Sequence, residues 1–541
     1  MSKPSARWLF AIFVVTASFC IYLRYVLAFG VNVPYWDDFQ LLDQARLVHA
    51  GQLEWWKLAA TKHNEHLMGV PFTLEALEFL WTGFDYKVQL VTGVLIQGLT
   101  FLLLAWAVWK SIPQGRRSYW LAFSSLILFS MAQYKNLLWA FQTAWFLVSL
   151  LLVINLICLQ RASEIDTERG DGASAWFTGA VVAALLASFT SFQGSIVWVA
   201  GGVFLFARCS FNLKESLRNI LLRRWTISAV LSLILIVYIF EKLGGFGPET
   251  GVFHLRAFVD IFIGVHGDLW GNWGVHRLLR FGVVMLALLV VALAQVCLSK
   301  EKAGYAFPVS LIAFGVLFVF LISLGRARFG SDMASDSHYT AYPILTYFGV
   351  LSILYRKDDS LPQFYPSRLG QFCVGAILSL AWFSSAYYST VNGISWRSDH
   401  GLSAAQLINN REESDLVLDR NLFGDAAMVR RNADFLEANK FSAFGDSTAV
   451  PESVKSYVHM PKSMEAAIAR HPGQEKAIRM AWEVYQVGGD LRSAFNPLSP
   501  QFPHDLLQWC FVNAQPGAAH YVSPYLVPYA AEFAVIDKAG Y

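Results

Sequence analysis

Asp37 and Asp38 stand side by side in "YWDDFQ" (residues 35–40), directly after the first long apolar run of the chain. Two adjacent carboxylates at such a place raise the proton affinity of at least one of the pair, which suits a general base. The same two residues also read as a helix start, where an Asp satisfies free N–H groups and the helix dipole. "HNEHL" (63–67) follows in the same polar segment and gathers His63, Glu65 and His66. Its histidines are three apart, so it is not the His-Glu-x-x-His helix of zinc peptidases. Hydrogen bonding to a polar or phosphorylated substrate, a metal site of His63, His66 and an Asp, and an interfacial cap are the readings open to it.

A third cluster is "GRARFGSDMASDSHYTAYP" (325–343). Arg326 and Arg328 lie where the positive-inside rule does not expect positive charge, so they call for an anionic partner. Either Asp332 and Asp336 neutralise them or a phosphate does, a group that guanidinium geometry fits well. His338 and Tyr339 add donors beside them. Three smaller segments, "YKNLLWAFQ" (134–142), "SFTSFQGS" (188–195) and "HGDLWGNWGVHR" (266–277), supply Asn136, Trp139, Gln142, Gln193, Asp268, Trp270 and Trp273. Stacking rings mixed with amides and a carboxylate are the chemistry that holds sugar rings. Interfacial aromatic belts would account for many of the same tryptophans.

The elements that must position these residues follow from composition. With 55% hydrophobic, 15% aromatic and only 15% charged residues, the 541-residue chain lies outside the soluble globular range. Its mean hydropathy of +0.42 agrees. The apolar stretches have helical length for a bilayer and none alternates with the period of a β-barrel. The expectation is an all-α polytopic membrane protein of about eleven transmembrane helices, near 8–29, 88–109, 119–133, 143–160, 176–190, 195–209, 226–241, 278–298, 305–324, 341–355 and 370–391. Lys3 and Arg7, Lys110 with Arg116 and Arg117, Arg161, the basic residues of 208–224, Lys300 and Lys302, and Arg356 fall on one side. That side is expected to be cytoplasmic, with the N-terminus in it. The clusters described above then all face outward.

The first apolar run lacks a small-x-small cleavage site before Gly30 and reads as a signal anchor. Composition shifts near residue 392, dividing the chain into a transmembrane catalytic domain (1–391, with its first outer loop at 31–87) and a small extracytoplasmic C-terminal domain (392–541). In the first loop, "DFQLLDQARLVHAGQLEWWKLAA" reads as one amphipathic surface helix, with Leu41, Leu42, Ala45 and Val48 on one face. In the tail, "DAAMVRRNADFLEANK" (425–440) and "SMEAAIARH" (463–471) read as helices and "SAFNPLSPQFP" (493–503) as loop. Five cysteines lie in or at the ends of spans and Cys510 lies in the tail, so no disulfide framework is expected. A net charge of +3 implies no nucleic-acid partner.

Taken together, "PYWDDF" (34–39), "HNEHL" (63–67), "YKNLLWAFQ" (134–142) and "GRARFGSDMASDSHY" (325–339) make the chain resemble the GT-C superfamily of polytopic glycosyltransferases. It is most similar to bacterial members with a Trp-Asp-Asp start and a His-Asn-Glu-His segment. The resemblance implies a GT-C-like fold in the bacterial inner membrane and transfer of a sugar from a polyprenyl-phosphate carrier to a glycan, glycolipid or protein acceptor on the outer face. It implies Asp37, with Asp38, as the catalytic carboxylates. Arg326, Arg328 and His338 would stabilise the phosphate leaving group, and Asp38, Glu65, His66 and His63 would orient sugar and acceptor. Tyr339, Asn136 and Gln142 complete the expected substrate-binding set. The first loop holds no Asp-x-Asp, so no metal ligand is assigned, and a divalent cation stays an open alternative.

Two other activities compete. A lipid-linked oligosaccharide polymerase or ligase would share the span count and outward arginines. A transporter or flippase would call for a mid-span charge relay, of which few residues are visible here. A structural assembly protein acting through its tail is a third possibility.

Overall fold

The computed structural model describes residues 6–64, 66–167, 172–245, 252–356, 368–411, 413 and 415–450. Glu65 and the tail segments at 463–471 and 493–503 lie outside the described residues. Among the described residues the regular structure is helical apart from one two-stranded ribbon, in which Lys62–His63 pairs antiparallel with His66–Leu67. The protein is thus an all-α multi-pass membrane protein.

Among the described residues six helices are long and apolar enough to cross a membrane: Ala6–Phe29, Tyr86–Ser111, Ala140–Ile165, Ile220–Lys242, Val275–Leu298 and Lys302–Phe329. Four more of the eleven expected spans fall on shorter helices, Arg117–Leu128, Ala173–Ser188, Ile196–Arg208 and Pro343–Tyr355. At 12 to 16 residues each, they measure about 18 to 24 Å, short of the ~30 Å hydrocarbon core. The last expected span lies inside the long helix Arg368–Ile408. An apolar run reads the same to a sequence whether it crosses a bilayer or lies among neighbours. Pro343–Tyr355 is the clearest case, since every one of its residues is buried.

The chain forms two compact units. The first holds 6–30, Leu47–Thr82 and Lys87–Thr390, and the second, in its described part, Val31–Arg46, Gly83–Tyr86 and 391–450.

Two contacts in the first unit set the level of its polar end. The helices Leu255–Gly267 and Val275–Leu298 meet backbone to backbone. A Cβ on Gly282 would overlap the carbonyl of Ile263, and one on Gly267 would overlap that of Leu278. Small residues at a crossing let membrane helices approach this closely. Pro343–Tyr355 runs beside Ala306–Arg326, and Arg356 Nη1 donates to the Gly304 carbonyl at 2.7 Å at one end of the pair. At the other end a Cβ on Gly315 would lie 2.9 Å from the Tyr342 carbonyl. From Gly315 to Arg326 the longer helix continues for about 16 Å. The polypeptide leading into Tyr342 is therefore recessed well below its neighbour's tip.

In the second unit, chain from both ends of the first outer loop folds with chain that follows residue 391. Asn32 Oδ1 accepts the Tyr86 N–H at 2.9 Å, and the Ser442 amide donates to the Gly83 carbonyl at 3.4 Å. The Phe84 ring lies 5.2 Å from Phe435 and 5.3 Å from Phe441. The expected helix at 425–440 is Ala426–Asn439, capped by Asp425, whose carboxylate accepts the Met428 N–H at 2.9 Å. The expected continuous surface helix in the first loop is not formed. It spans Asp38–His49 with Leu41, Leu42 and Ala45 buried, and Trp55–Ala60 forms a separate 3-10 turn. Gly51, at φ 67, supplies the left-handed residue on which the helix stops.

Candidate functional site

The "YWDDFQ" motif of the second unit is a tight turn running into the helix Asp38–His49. Asp38 is buried and its carboxylate accepts the Tyr35 N–H at 3.0 Å. It therefore ties down the turn that precedes the helix, a bond that runs backward along the chain and not to the helix's own free N–H groups. Asp37, half-buried, follows Trp36, a bulky residue held at φ 47. The Trp36 amide is tied to the Leu422 carbonyl at 2.8 Å and half of its surface is open. Non-glycine residues persist in this conformation only where surroundings enforce it, often at functional sites. Tyr35 packs 4.3 Å from the His400 ring, which stacks on Trp396 at 4.0 Å. His400 Nδ1 lies 2.9 Å from the Trp396 carbonyl. Burial pushes its imidazole down to about 3, so the neutral ring donates from Nδ1 and leaves a buried, unpartnered Nε2.

The first unit brings Lys135, Asn136, Asp336, His338 and Tyr339 together on one pair of turns. Asp336 is the centre. Its Oδ1 lies 3.0 Å from Lys135 Nζ and 2.6 Å from His338 Nδ1. The next turn of chain is stitched on by Asn136, whose Nδ2 donates to the His338 carbonyl at 3.1 Å. Trp145 stands edge-on to His338 at 5.6 Å and stacks on Tyr342 at 5.1 Å, while Tyr339 lies 3.9 Å from His338. Ser191 and Tyr342 share a side-chain hydrogen bond, and His66 Nδ1 accepts the neighbouring Phe192 N–H at 3.2 Å. His63 stands opposite His66 in the ribbon. Asn64 is held at φ 47, a conformation that suits Asn. The His63 ring packs 4.9 Å from Phe141, which ties the ribbon to the segment carrying Gln142.

Several side chains of these turns are buried with a polar atom that finds no hydrogen-bond partner: Asn136 Oδ1, Gln142 Oε1, Gln193 Oε1, Asp268 Oδ1, Trp270 Nε1 and Asn272 Nδ2. Of these, Asn136 and Asp268 are tied by hydrogen bonds to the turn that carries His338 and Thr340, and a buried atom left without a partner there is one a polar ligand or water can satisfy. Asp268 Oδ2 meets the Thr340 hydroxyl at 3.3 Å. Burial pushes the Asp268 carboxyl well above its usual range, the hydroxyl opposing and the charge of Asp336 adding. Burial acts the same way on Asp336, but the charges and hydrogen bonds of His338 and Lys135 outweigh it and hold that carboxyl far below the usual range. The two carboxyls are thus pushed in opposite directions, the pattern that separates an acid from a base.

The depressed Asp336 carboxyl contributes stability that is complete above the unfolded value and is lost as pH falls below it. Asp336→Asn is therefore expected to lower the melting temperature of the purified protein at neutral pH, the gap to wild type closing only below about pH 4. A gap of constant size down to acid pH would mean that the ion pairs add nothing.

Arg326 and Arg328 lie over the face of Phe329, at 5.7 and 5.0 Å from the ring centre. Asp336, one of their two expected partners, is engaged by Lys135 and His338 instead. Sequence reading missed Lys135 and His400. For Lys135 the signal was present, because a lone lysine in a segment expected to face outward needs an anion for the same reason as Arg326. For His400, inside a long helix, there was none. Among the described residues no group of three or more His, Cys, Asp or Glu comes together as a metal site. An apolar groove of about 430 Å³ runs along the helix that ends at Arg326, lined by Val309, Ile312, Val316 and Phe320 with Phe262 and Leu289 opposite.

No protein-family model, curated protein or solved structure matches the chain. Its function has to be argued from its own side chains.

Proposed function

We propose that the chain is a GT-C-type glycosyltransferase of the bacterial inner membrane, with a cytoplasmic N-terminus and its polar turns on the outer face. It moves a sugar from a polyprenyl-phosphate carrier to a glycan, glycolipid or protein acceptor of the cell envelope. The observation that carries this reading is the Lys135–Asp336–His338 cluster, beside which Asn136 and Asp268 each keep a buried oxygen with no hydrogen-bond partner. A hydroxyl-rich ring is the ligand that such a mixture of donors and acceptors fits. The apolar groove beside Phe262 and Phe320 supports a prenyl chain as the carrier.

In this mechanism Asp37 takes the proton of the acceptor hydroxyl as it attacks the anomeric carbon. Asp38 holds the turn that carries Asp37. The phosphate leaves with its growing charge met by Arg326, Arg328 and His338, while Asn136, Gln142, Tyr339, His63, Glu65 and His66 orient the sugar and acceptor. The direct test is the mass profile of envelope glycans and glycolipids in a strain lacking the gene, with and without the wild-type chain. A sugar-sized increment that appears only with the chain is expected. Identical profiles would sink the proposal and favour transport or assembly.

A further inference from the structure

We infer that His338 delivers a proton from Nε2 to the departing phosphate, with Asp336 as the positioning residue that orients the imidazole and supports its charge. The inference rests on the glycosyltransferase reading and supplies its proton donor.

The geometry is that of a carboxylate–imidazole pair. Asp336 Oδ1, 2.6 Å from His338 Nδ1, takes the Nδ1 proton and so turns Nε2 toward whatever approaches. Nε2 makes no hydrogen bond among the described residues. The side chain is 18% exposed, open enough to be reached and covered enough to be weakly hydrated. The ring is held in plane by Trp145 at its edge and Tyr339 at 3.9 Å, and its backbone by Asn136. A ring held this firmly can transfer a proton without first reorienting.

The groups that face His338 favour this role. Lys135, from the helix Tyr134–Leu138, shares Asp336 with it and adds a second cation beside the incoming phosphate. Asp268, across Thr340, has its carboxyl pushed up by burial, and Tyr339 lies against the ring. A phosphate monoester gains its second charge near pH 6 and an imidazole titrates near 6.5, so a proton is shared between them with little loss. The step balances. The acceptor oxygen bonds to the anomeric carbon, the anomeric C–O bond breaks with its electron pair going to phosphate, the hydroxyl proton goes to Asp37 and the Nε2 proton to a phosphate oxygen.

The test uses membranes of the gene-deleted strain carrying the full chain, with their own donor lipids and acceptors as the probe. Formation of the sugar increment is followed with time. His338→Gln is expected to be slower by about 10²-fold. Asp336→Asn should be slowed as well and Asp336→Glu should recover part of the rate. Added imidazole should restore His338→Ala, whereas an added cation with no proton to transfer should not. A His338→Gln rate within twofold of wild type, or no rescue of His338→Ala by imidazole, would overturn the assignment while leaving the glycosyltransferase reading intact. If wild-type membranes form no increment, the reading fails and the assignment falls with it.

Discussion

Asp37→Asn abolishes the sugar increment while leaving the protein in the membrane at wild-type abundance: this is the largest functional effect expected. Removing a general base costs typically 10²- to 10⁴-fold in rate, enough to erase a product band. Asn preserves the shape and half-buried setting of the side chain. Asp38→Asn is the matched control. Its remaining carbonyl oxygen can still accept the Tyr35 N–H, so it should keep most of the activity and lose about 1 kcal/mol of stability. Equal activity of Asp37→Asn and wild type would reduce the motif to a helix start.

Gly282→Val produces the largest structural effect. A Cβ there meets the Ile263 carbonyl, and valine adds two methyls at the point where the helices Leu255–Gly267 and Val275–Leu298 touch. The backbones must separate, at a cost of about 2 to 3 kcal/mol. The displacement reaches function because Asp268 follows directly on Gly267, and its hydrogen bond to Thr340 depends on that crossing. Thermal unfolding in detergent should show a clear loss for Gly282→Val and almost none for Val283→Ala, whose side chain is exposed. Equal melting of the two variants would mean that the crossing is not tight.

Helical character, membrane residence and the grouping of the 134–142, 188–195, 266–277 and 325–343 segments could all be read from composition and from where polar clusters interrupt apolar runs. The capped helix at 426–439 was equally legible, because Asp425 and the apolar spacing behind it are local signals. Pairings were not. Nothing in the sequence says that Asp336 faces Lys135, some 200 residues away, rather than Arg326 or Arg328 close by. Nor does hydropathy separate a long span from Pro343–Tyr355, whose apolar residues are buried among other helices. The pairing of His63 with His66 was hidden for a different reason, since two-residue strands leave no alternating pattern to read.

The recessed level of Tyr342 has an electrical meaning. Chain that enters Tyr342 beside Gly315 lies about 16 Å down the axis from Arg326, where an unbroken span would have carried it to the surface. A charge drawn down such a recess crosses a share of the membrane potential, which over a full bilayer is worth about 2.3 kcal/mol per elementary charge per 100 mV. The arrival of a charged group beside Lys135 would then respond to voltage, so an energised membrane and a depolarised one need not run this site at the same rate.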